Sequence, residues 1–243
     1  MKHNAIFITG TDTNVGKTFV TLLLMKKLQS LGYLVQGIKP VASGCIRNDD
    51  GLLVNEDALR LQHTSSHFYS YPMINPIAYQ DSIAPHIAAQ RASQLLTKQS
   101  LIDAIERSLK LDAGLYLIEG CGGWTIPLNL HERYSQVIVA MKLPVMVVIG
   151  MRLGCLNHAL LTMDHLTQSH TPVLGWVANV IDPTFEALDE NIQTLQHCIK
   201  SPLLATVPYH SCSNDLEINW NLESIFKNIS IAVKDVTNRV DIE

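Results

Sequence analysis

Long apolar runs are missing from this 243-residue sequence. Apolar residues 143–149 are few and are interrupted by a proline, so this segment is too short to cross a bilayer. Near the start, apolar residues 5–8 are too few for the core of a signal peptide and lead directly into a glycine-rich motif. We therefore expect no membrane association.

Paired cysteines and clusters of basic residues are also missing. The five cysteines are odd in number and include no C-x-x-C pair, which argues against a disulfide framework or a zinc site and favours a reducing cytoplasm. The net charge is -4, with 18 basic and 22 acidic residues and no basic block. This charge gives no support to a nucleic-acid partner.

The sequence does contain enough apolar material for one large core, since 47% of its residues are hydrophobic and 16% are charged. Short β-branched runs alternate with helical patterns, which predicts an α/β fold with a doubly wound, mostly parallel sheet. The predicted strands are residues 5–9, 34–38, 115–118, 145–149, 174–180 and 203–207, and the predicted helices are residues 18–30, 100–111, 158–168 and 185–198. No repeat or linker marks a second domain, so residues 1–243 are interpreted as a single domain.

Two stretches are less regular. Residues 48–92 form an insertion that, in such a fold, usually covers the strand ends and lines a site, although a plain surface excursion is the alternative. The segment after His210 is polar and then weakly apolar. We interpret it as a tail that packs on the edge of the sheet.

A phosphate-binding loop gives the strongest functional indication. It follows a predicted strand, opens a predicted helix and reads Gly10-Thr11-Asp12-Thr13-Asn14-Val15-Gly16-Lys17-Thr18. The glycines allow close backbone approach, the loop amides point at phosphate oxygens, Lys17 adds positive charge and Thr18 offers a hydroxyl to Mg²⁺. The loop is one residue longer than the common pattern. The alternative is a glycine-rich turn that happens to precede a lysine.

Other motifs decide between branches of the P-loop NTPase-like proteins. The GTPase motif N-K-x-D is absent, and so is the additional lysine that partitioning ATPases carry near the start of the loop. The further motifs, in chain order, are Ile38-Lys39-Pro40-Val41-Ala42-Ser43-Gly44, Asn55-Glu56-Asp57-Ala58, Pro85-His86, Glu119-Gly120-Cys121-Gly122-Gly123-Trp124, Leu153-Gly154-Cys155-Leu156-Asn157-His158-Ala159 and Gly175-Trp176-Val177-Ala178-Asn179. Together with the phosphate loop, this ordered set resembles the dethiobiotin synthetase family over about residues 4–210.

The resemblance implies an ATP-dependent enzyme of biotin biosynthesis that acts as a cytoplasmic homodimer. Members of the family convert 7,8-diaminononanoate, CO₂ and ATP into the cyclic urea dethiobiotin, with Mg²⁺ as cofactor. One amine adds CO₂ to give a carbamate, the carbamate attacks the γ-phosphate, and the second amine then displaces phosphate and closes the ring. Phosphoryl transfer of this kind depends on positioning and charge neutralisation, and it requires no protein nucleophile.

Three oxygen-bearing side chains are expected around Mg²⁺, namely Thr18, Asp57 and Glu119. Glu119 ends an apolar strand, where an ionised carboxylate is costly unless it is paired or bound to a metal. For Asp57, a solvated acid at the start of a helix is the alternative, and the resemblance favours the metal.

Two residues at strand ends receive roles from the resemblance. Lys39 is either a snorkelling side chain or the cation that neutralises the carbamate and the transferring phosphoryl group, with Ser43 hydrogen-bonding nearby. Asn179 is either a turn residue or a contact of the adenine edge. In both cases the resemblance favours the second interpretation.

The resemblance extends these roles across the loop. The implied nucleotide contacts are Asp12, Thr13, Asn14, Val15, Gly16, Lys17, Thr18, Glu119, Asn179 and Pro208, and the implied catalytic residues are Thr13, Lys17, Lys39 and Ser43. The family often has Glu where this chain has Asn14, and commonly Ala where it has Cys121. Because Asn14 is neutral, we expect no ionisable group at this position to influence catalysis.

The substrate carboxylate needs an anion site several methylenes from the reacting amines. Residues 154–157 precede the predicted helix 158–168 and would present free amides at its positive end. The resemblance places this helix start beside the neighbouring subunit's phosphate loop, so that a two-fold dimer builds two shared sites. The implied substrate contacts are Thr13, Lys39, Ser43, Gly122, Cys155, Leu156 and Asn157. The alternative is that Asn157 caps its own helix.

Two other functions are compatible with a phosphate loop. An amidoligase of the cobyrinate or CTP synthetase kind usually carries a glutaminase domain, and this chain is too short for one. A non-catalytic nucleotide switch needs a partner surface but no small-molecule pocket, whereas residues 39–43 and 120–124 argue for a pocket. An enzyme of the resembled family needs the diamine and bicarbonate to release phosphate, and a switch does not.

Overall fold

A computed structural model describes residues 4–111, 114–209 and 218–227 of the chain. The strands are β1 (Ala5–Gly10), β2 (Val35–Ile38), β3 (Val41–Ala42), β4 (Ile46–Arg47), β5 (Leu53–Val54), β6 (Ile77–Ala78), β7 (Leu115–Gly123), β8 (Val145–Met151), β9 (Val173–Val180) and β10 (Leu203–Val207). The helices are α1 (Lys17–Ser30), α2 (Glu56–Thr64), α3 (Tyr71–Ile74), α4 (Pro85–Arg91), α5 (Lys98–Ser108), α6 (Tyr134–Met141), α7 (Cys155–Gln168), α8 (Leu188–Cys198) and α9 (Leu222–Phe226). Within these residues, no helix is both long and apolar enough to span a membrane.

A six-stranded parallel sheet forms the centre of the molecule. Its strand order is β10-β9-β8-β1-β7-β2, so β1 lies between β8 and β7. Helix α1, which follows β1, packs on one face of the sheet, and α6, which follows β7, packs on the other. Where the helices after neighbouring strands leave to opposite faces, a crevice opens at the carboxyl ends of the strands. This arrangement places the loop after β1 at the mouth of that crevice.

The sheet strands are apolar on both faces because helices cover both faces. In β1, Phe7 packs in the core on one side, and the next residue, Ile8, packs in the core on the other. Helices α1, α2 and α9 cover the Ile8 side, and α4 to α8 cover the Phe7 side. All six predicted strands lie in this sheet, so the predicted doubly wound α/β fold is confirmed.

Several helix boundaries differ from the prediction for local reasons. Helix α5 begins at Lys98, before the predicted residue 100, because Thr97 and Ser100 form a reciprocal capping box. Helix α8 begins at Leu188, after the predicted residue 185, because Ala187 has a left-handed backbone. Helix α6 was not predicted, since its residues Val137, Ile138 and Val139 are β-branched and favour strands.

The irregular insertion at residues 48–92 contains more structure than its sequence indicated. It includes α2, α3, α4 and the short strands β5 and β6. Helix α2 begins after Asn55, whose side chain accepts a hydrogen bond from the Ala58 amide at 3.3 Å. The insertion therefore forms a structured wall over the strand ends, as the site-lining interpretation requires.

The tail packs on the sheet edge within the described residues 218–227. Trp220 and Ile225 are buried on the α1 side of the sheet, and the Asn221 amide donates to the Leu204 carbonyl at 2.7 Å. Leu204 belongs to the edge strand β10. The prediction for the tail is confirmed in this segment, while residues 210–217 and 228–243 lie outside the described residues.

Candidate active site

The phosphate loop connects β1 to α1 at the crevice. Asn14 and Gly16 have positive φ angles of 59° and 82°. Glycine is required at position 16 because an added Cβ would lie 2.2 Å from the Asn179 side-chain nitrogen. The Lys17 ammonium donates to the Asp12 carbonyl at 3.2 Å. Burial lowers the pKa of Lys17, an effect that the Glu119 carboxylate partly offsets.

A buried lysine lies between two carboxylates at the floor of the crevice. Lys39 follows β2, and its Nζ is 2.6 Å from Glu119 Oε1 and 2.8 Å from Asp57 Oδ2. Burial by itself would lower the pKa of Lys39, but the two carboxylates outweigh it and raise this pKa above its ordinary value. Burial likewise opposes ionisation of Asp57, and the adjacent Lys39 overcomes it and lowers the pKa of Asp57. Lys39 and Asp57 are therefore held in their charged forms.

The arrangement around Glu119 fits a divalent cation. Glu119 is 0% exposed, and its Oε1 also accepts a hydrogen bond from Thr18 Oγ1 at 2.8 Å. Its other oxygen, Oε2, is buried and has no hydrogen-bond partner among the described residues. Two carboxylates and a hydroxyl thus converge beside the phosphate loop. Mg²⁺ favours hard oxygen donors of this kind, completed by water and phosphate. The third group here is a threonine hydroxyl, and among the described residues no cluster of three or more His, Cys, Asp or Glu is suited to a metal.

A cavity of about 760 Å³ opens above these residues. Most of the predicted site residues line it, and these are Thr13, Asn14, Gly16, Lys17, Thr18, Lys39, Ser43, Asp57, Glu119 and Gly122. Walls from the insertion contribute Asn55, Arg60, Ser82 and residues 83–86. The cavity is therefore large enough for a small substrate beside the phosphate loop.

Asp12 and Val15 belong to the loop but do not line this cavity, and neither do Asn179 and Pro208. Asn179, at the end of β9, is buried and donates its side-chain amide to the Val15 carbonyl at 2.8 Å. This hydrogen bond therefore supports the phosphate loop. Pro208 is exposed and lies one residue beyond β10.

The predicted anion site lies apart from the cavity within one chain. Helix α7 begins at Cys155, three residues before the predicted start, so Cys155, Leu156 and Asn157 form its first turn. The N-cap is Gly154, with a φ of 92° and no side-chain cap. Asn157 is exposed and does not cap its own helix, so that alternative is wrong. None of these three residues lines the cavity.

Sequence reasoning missed an ion pair that supports the loop. Arg152, just after β8, donates to Asp12 Oδ2 at 2.6 Å, and Asp12 Oδ1 accepts from the Thr13 amide at 2.7 Å. A signal was present, because β8 is the sheet neighbour of β1 and both strands end at the same edge. A charged residue directly after such a strand falls beside the loop.

Cys121 is half-buried and lines the cavity without being a nucleophile. Burial raises the pKa of its thiol to about 11, although Lys39 and Lys17 act in the opposite direction. The thiol is therefore protonated near neutral pH. This agrees with a reaction that needs no protein nucleophile.

Comparison with known proteins identifies the family. A family model described as AAA domain matches residues 4–215. The ATP-dependent dethiobiotin synthetase of Cellvibrio japonicus is 44% identical over 208 residues, covering 86% of this chain and 90% of that protein. The same enzyme of Pseudoalteromonas translucida is 42% identical over 212 residues, covering 87% of this chain and 93% of that protein. The chain belongs to the dethiobiotin synthetase family. It is accordingly an ATP-dependent ligase, as the sequence predicted.

Solved structures agree with this assignment at the level of fold. The septum site-determining protein MinD of Pyrococcus horikoshii superposes with a TM-score of 0.52 at 17% identity, covering 84% of this chain and 81% of that one. A ParA family ATPase of Chlorobium tepidum superposes with a TM-score of 0.50 at 13% identity, covering 86% of this chain and 84% of that one. This chain therefore has the P-loop NTPase-like fold. The non-catalytic switch is disfavoured by the family membership.

The Arg152–Asp12 pair yields a prediction about nucleotide binding. Arg152→Ala should raise the KM for ATP by roughly two- to fivefold at low salt, the range expected for a half-exposed ion pair, with a smaller change in kcat. Arg152→Lys should recover part of the loss. The matched control is Arg91→Ala, which breaks the exposed Arg91–Asp81 pair away from the loop. Equal effects of the two alanine variants would show that the Arg152 pair has no special influence on the loop.

Proposed function

We propose that this chain carboxylates 7,8-diaminononanoate and closes its ring to dethiobiotin, releasing ADP and phosphate. The observation that carries the proposal is the buried Lys39, held between Glu119 and Asp57 beside the phosphate loop. This position supplies a fixed positive charge where a carbamate would meet the γ-phosphate. The relatives are ATP-dependent dethiobiotin synthetases by name, which supports the same reaction.

The chemistry proceeds through three bond-forming steps. An amine nitrogen adds to CO₂ and loses a proton, which gives the carbamate. A carbamate oxygen then attacks the γ-phosphorus, ADP leaves and a carbamic-phosphoric mixed anhydride forms. The second amine attacks the carbonyl carbon of this anhydride, phosphate leaves and the cyclic urea closes. The first two steps develop or transfer negative charge on oxygen, so preorganised cations lower their barriers.

The cavity residues fit these steps. Lys17 and the loop amides of residues 12–18 bind the β- and γ-phosphates, and Lys39 neutralises the carbamate and the transferring phosphoryl group. Ser43 hydrogen-bonds close to Lys39. Thr13 and Gly122 contact the substrate, and the 3.6 Å between the Thr13 hydroxyl and a Cβ built on Gly122 supports one shared contact surface.

Mg²⁺ would be held by Thr18, Asp57 and Glu119. The unpartnered Oε2 of Glu119 supports this assignment. When bound, the ion supplies positive charge to the β- and γ-phosphate oxygens. Lys39 lowers the pKa of Asp57, so this carboxylate is able to act as a ligand before any metal arrives.

The adenine contact is assigned to Asn179 and Pro208 at the ends of neighbouring strands β9 and β10. Asn179 uses its amide nitrogen on Val15. Its amide oxygen is the remaining polar atom of this side chain, and it suits a donor such as the adenine amino group.

The substrate carboxylate would be bound across a homodimer, by the first turn of α7 from the neighbouring subunit. In this turn the Cys155 amide donates to the Arg152 carbonyl at 3.0 Å, and the amides of Leu156 and Asn157 would bind the carboxylate. Near it, Leu153 is 91% exposed and Leu161 is 62% exposed. Exposed leucines around the helix start support an interface that covers them, and the absence of this turn's residues from the cavity lining supports sharing between chains.

We further propose a single ligase domain over residues 1–243 that works in the cytoplasm. The four described cysteines, Cys45, Cys121, Cys155 and Cys198, are free, which fits a reducing compartment.

The experiment that tests the function measures phosphate release together with mass detection of dethiobiotin. Phosphate release should require both the diamine and bicarbonate. Lys39→Met should lower turnover by about 10²–10³ at saturating substrates, since one preorganised charge is lost. Lys110→Met, an exposed lysine outside the cavity, is the control. Phosphate release without the diamine would favour a nucleotide switch, and near-full turnover of Lys39→Met would remove Lys39 from the mechanism.

A second prediction tests the metal site. Asp57→Asn should raise the Mg²⁺ concentration at half-maximal activity by at least about tenfold, as expected when a coordinating group is weakened. Glu56→Gln is the matched control, because Glu56 is also an acid in the first turn of α2 but lies outside the cavity. If the Mg²⁺ titration of Asp57→Asn superposes on that of the wild type, Asp57 is not a ligand.

A third prediction tests the shared site. Lys17→Ala and Asn157→Ala homodimers should each be weakly active, and mixing them should restore activity, because one of the two sites in a heterodimer contains both intact halves. Subunit exchange is followed by tagged pull-down. No recovery after confirmed exchange, or an active species that sediments as a monomer, contradicts the shared site.

A further inference from the structure

Helix α4 places a histidine in the cavity wall that the roles above leave unused. His86 is the only histidine among the described residues that line the cavity. Its Nδ1 is buried and has no hydrogen-bond partner among the described residues. A structural histidine in a protein interior normally has its buried nitrogen satisfied by the protein. Because Nδ1 has no exposed surface, a molecule in the cavity would meet the imidazole through its other nitrogen, Nε2, which no hydrogen bond from the described residues occupies.

The proposed reaction must dispose of protons. An amine that attacks the carbonyl carbon of the mixed anhydride forms an N–C bond while the C–O bond to phosphate breaks. The attacking nitrogen becomes positively charged unless its N–H bond breaks at the same time. One proton must therefore leave during ring closure, and a nearby base would accelerate the step.

Four other ionisable groups of the cavity are poor acceptors for this proton. Lys39 is held as the ammonium, and its two carboxylate partners, Asp57 and Glu119, are engaged with it. Asp57 also has a lowered pKa, which weakens it as a base. The Cys121 thiol is protonated, with a pKa of about 11.

We propose that His86 is the general base of ring closure, accepting the proton of the attacking amine on an imidazole nitrogen. This inference rests on the proposed function and adds a catalytic residue to it. Neutral histidine can accept a proton near neutral pH and pass it to water or to the departing phosphate. No protein–substrate bond is formed, and the atoms balance as dethiobiotin, phosphate and one proton carried by the imidazole.

The charged surroundings of His86 come from four other elements. Helix α1 contributes Lys17, the segment after β2 contributes Lys39, α2 contributes Asp57 and Arg60, and β7 contributes Glu119 and Cys121. On α4 itself, Arg91 is paired with Asp81. No carboxylate among the described residues forms an ion pair with His86.

The test compares His86→Gln and His86→Ala with the wild type and with His63→Gln, an exposed histidine of α2 outside this cavity. Dethiobiotin formation by the wild type and by the control establishes the proposed function independently. The His86 variants should lose about 10²–10⁴ in kcat, while the affinity for ADP and the oligomeric state stay as in the wild type. Added imidazole should restore part of the activity of His86→Ala.

Two further readouts separate a base from a structural residue. In rapid-quench experiments, His86→Ala should release ADP in a stoichiometric burst and form dethiobiotin slowly, because phosphoryl transfer precedes ring closure. The fall of kcat on the acidic side of the wild-type pH profile should disappear in His86→Gln. Unchanged kcat and pH profile in His86→Gln overturn the proposal. So does a loss of activity that comes with lost ADP affinity, shows no ADP burst and is not rescued by imidazole.

Discussion

The arrangement of the site depends on the neutralisation of one fully buried carboxylate. Glu119 lies within β7 and has no exposed surface, so an unpaired charge there would be strongly destabilising. The pairing of β2 with β7 solves this problem, because Ile38 lies opposite Ile118 and the next residues of the two strands are Lys39 and Glu119. The strand register thus sets the 2.6 Å contact between Lys39 Nζ and Glu119 Oε1, and Asp57 Oδ2 lies 2.8 Å from the same ammonium.

The parallel sheet also brings the other site residues together. The phosphate loop after β1, Glu119 in β7, Arg152 after β8 and Asn179 in β9 all lie toward the same edge, since the strands run in one direction. The sheet alone leaves that edge open to solvent. The insertion between β2 and β7 closes one side with α2 and α4 and turns a row of polar strand ends into a cavity.

The sequence predicts those parts of the site in which local pattern and position coincide. The phosphate loop is contiguous, and Lys39 and Glu119 stand directly at the ends of apolar strands, so their neighbourhood follows from the sheet. The partner of Asp12 is 140 residues away and could not be found by local pattern. Helix α6 was not predicted because its β-branched residues favour strands. Helix α7 begins three residues earlier than predicted because Gly154, with a left-handed backbone, is its N-cap. The ligand contacts of the site residues stay predictions, because they depend on molecules beyond the single chain.

The backbone of the phosphate loop also constrains which residues can occupy position 14. Asn14 has a φ of 59°, in the left-handed region that asparagine tolerates better than most residues. A glutamate there, which the resembled family often has, would meet a backbone cost of about 1 kcal/mol or more in this same conformation. With asparagine, the loop therefore lacks a negative charge near the phosphates but adopts this backbone conformation at a lower cost in free energy. The residue at position 14 therefore affects two properties of the loop, its backbone conformation without ligand and the charge beside a bound phosphate.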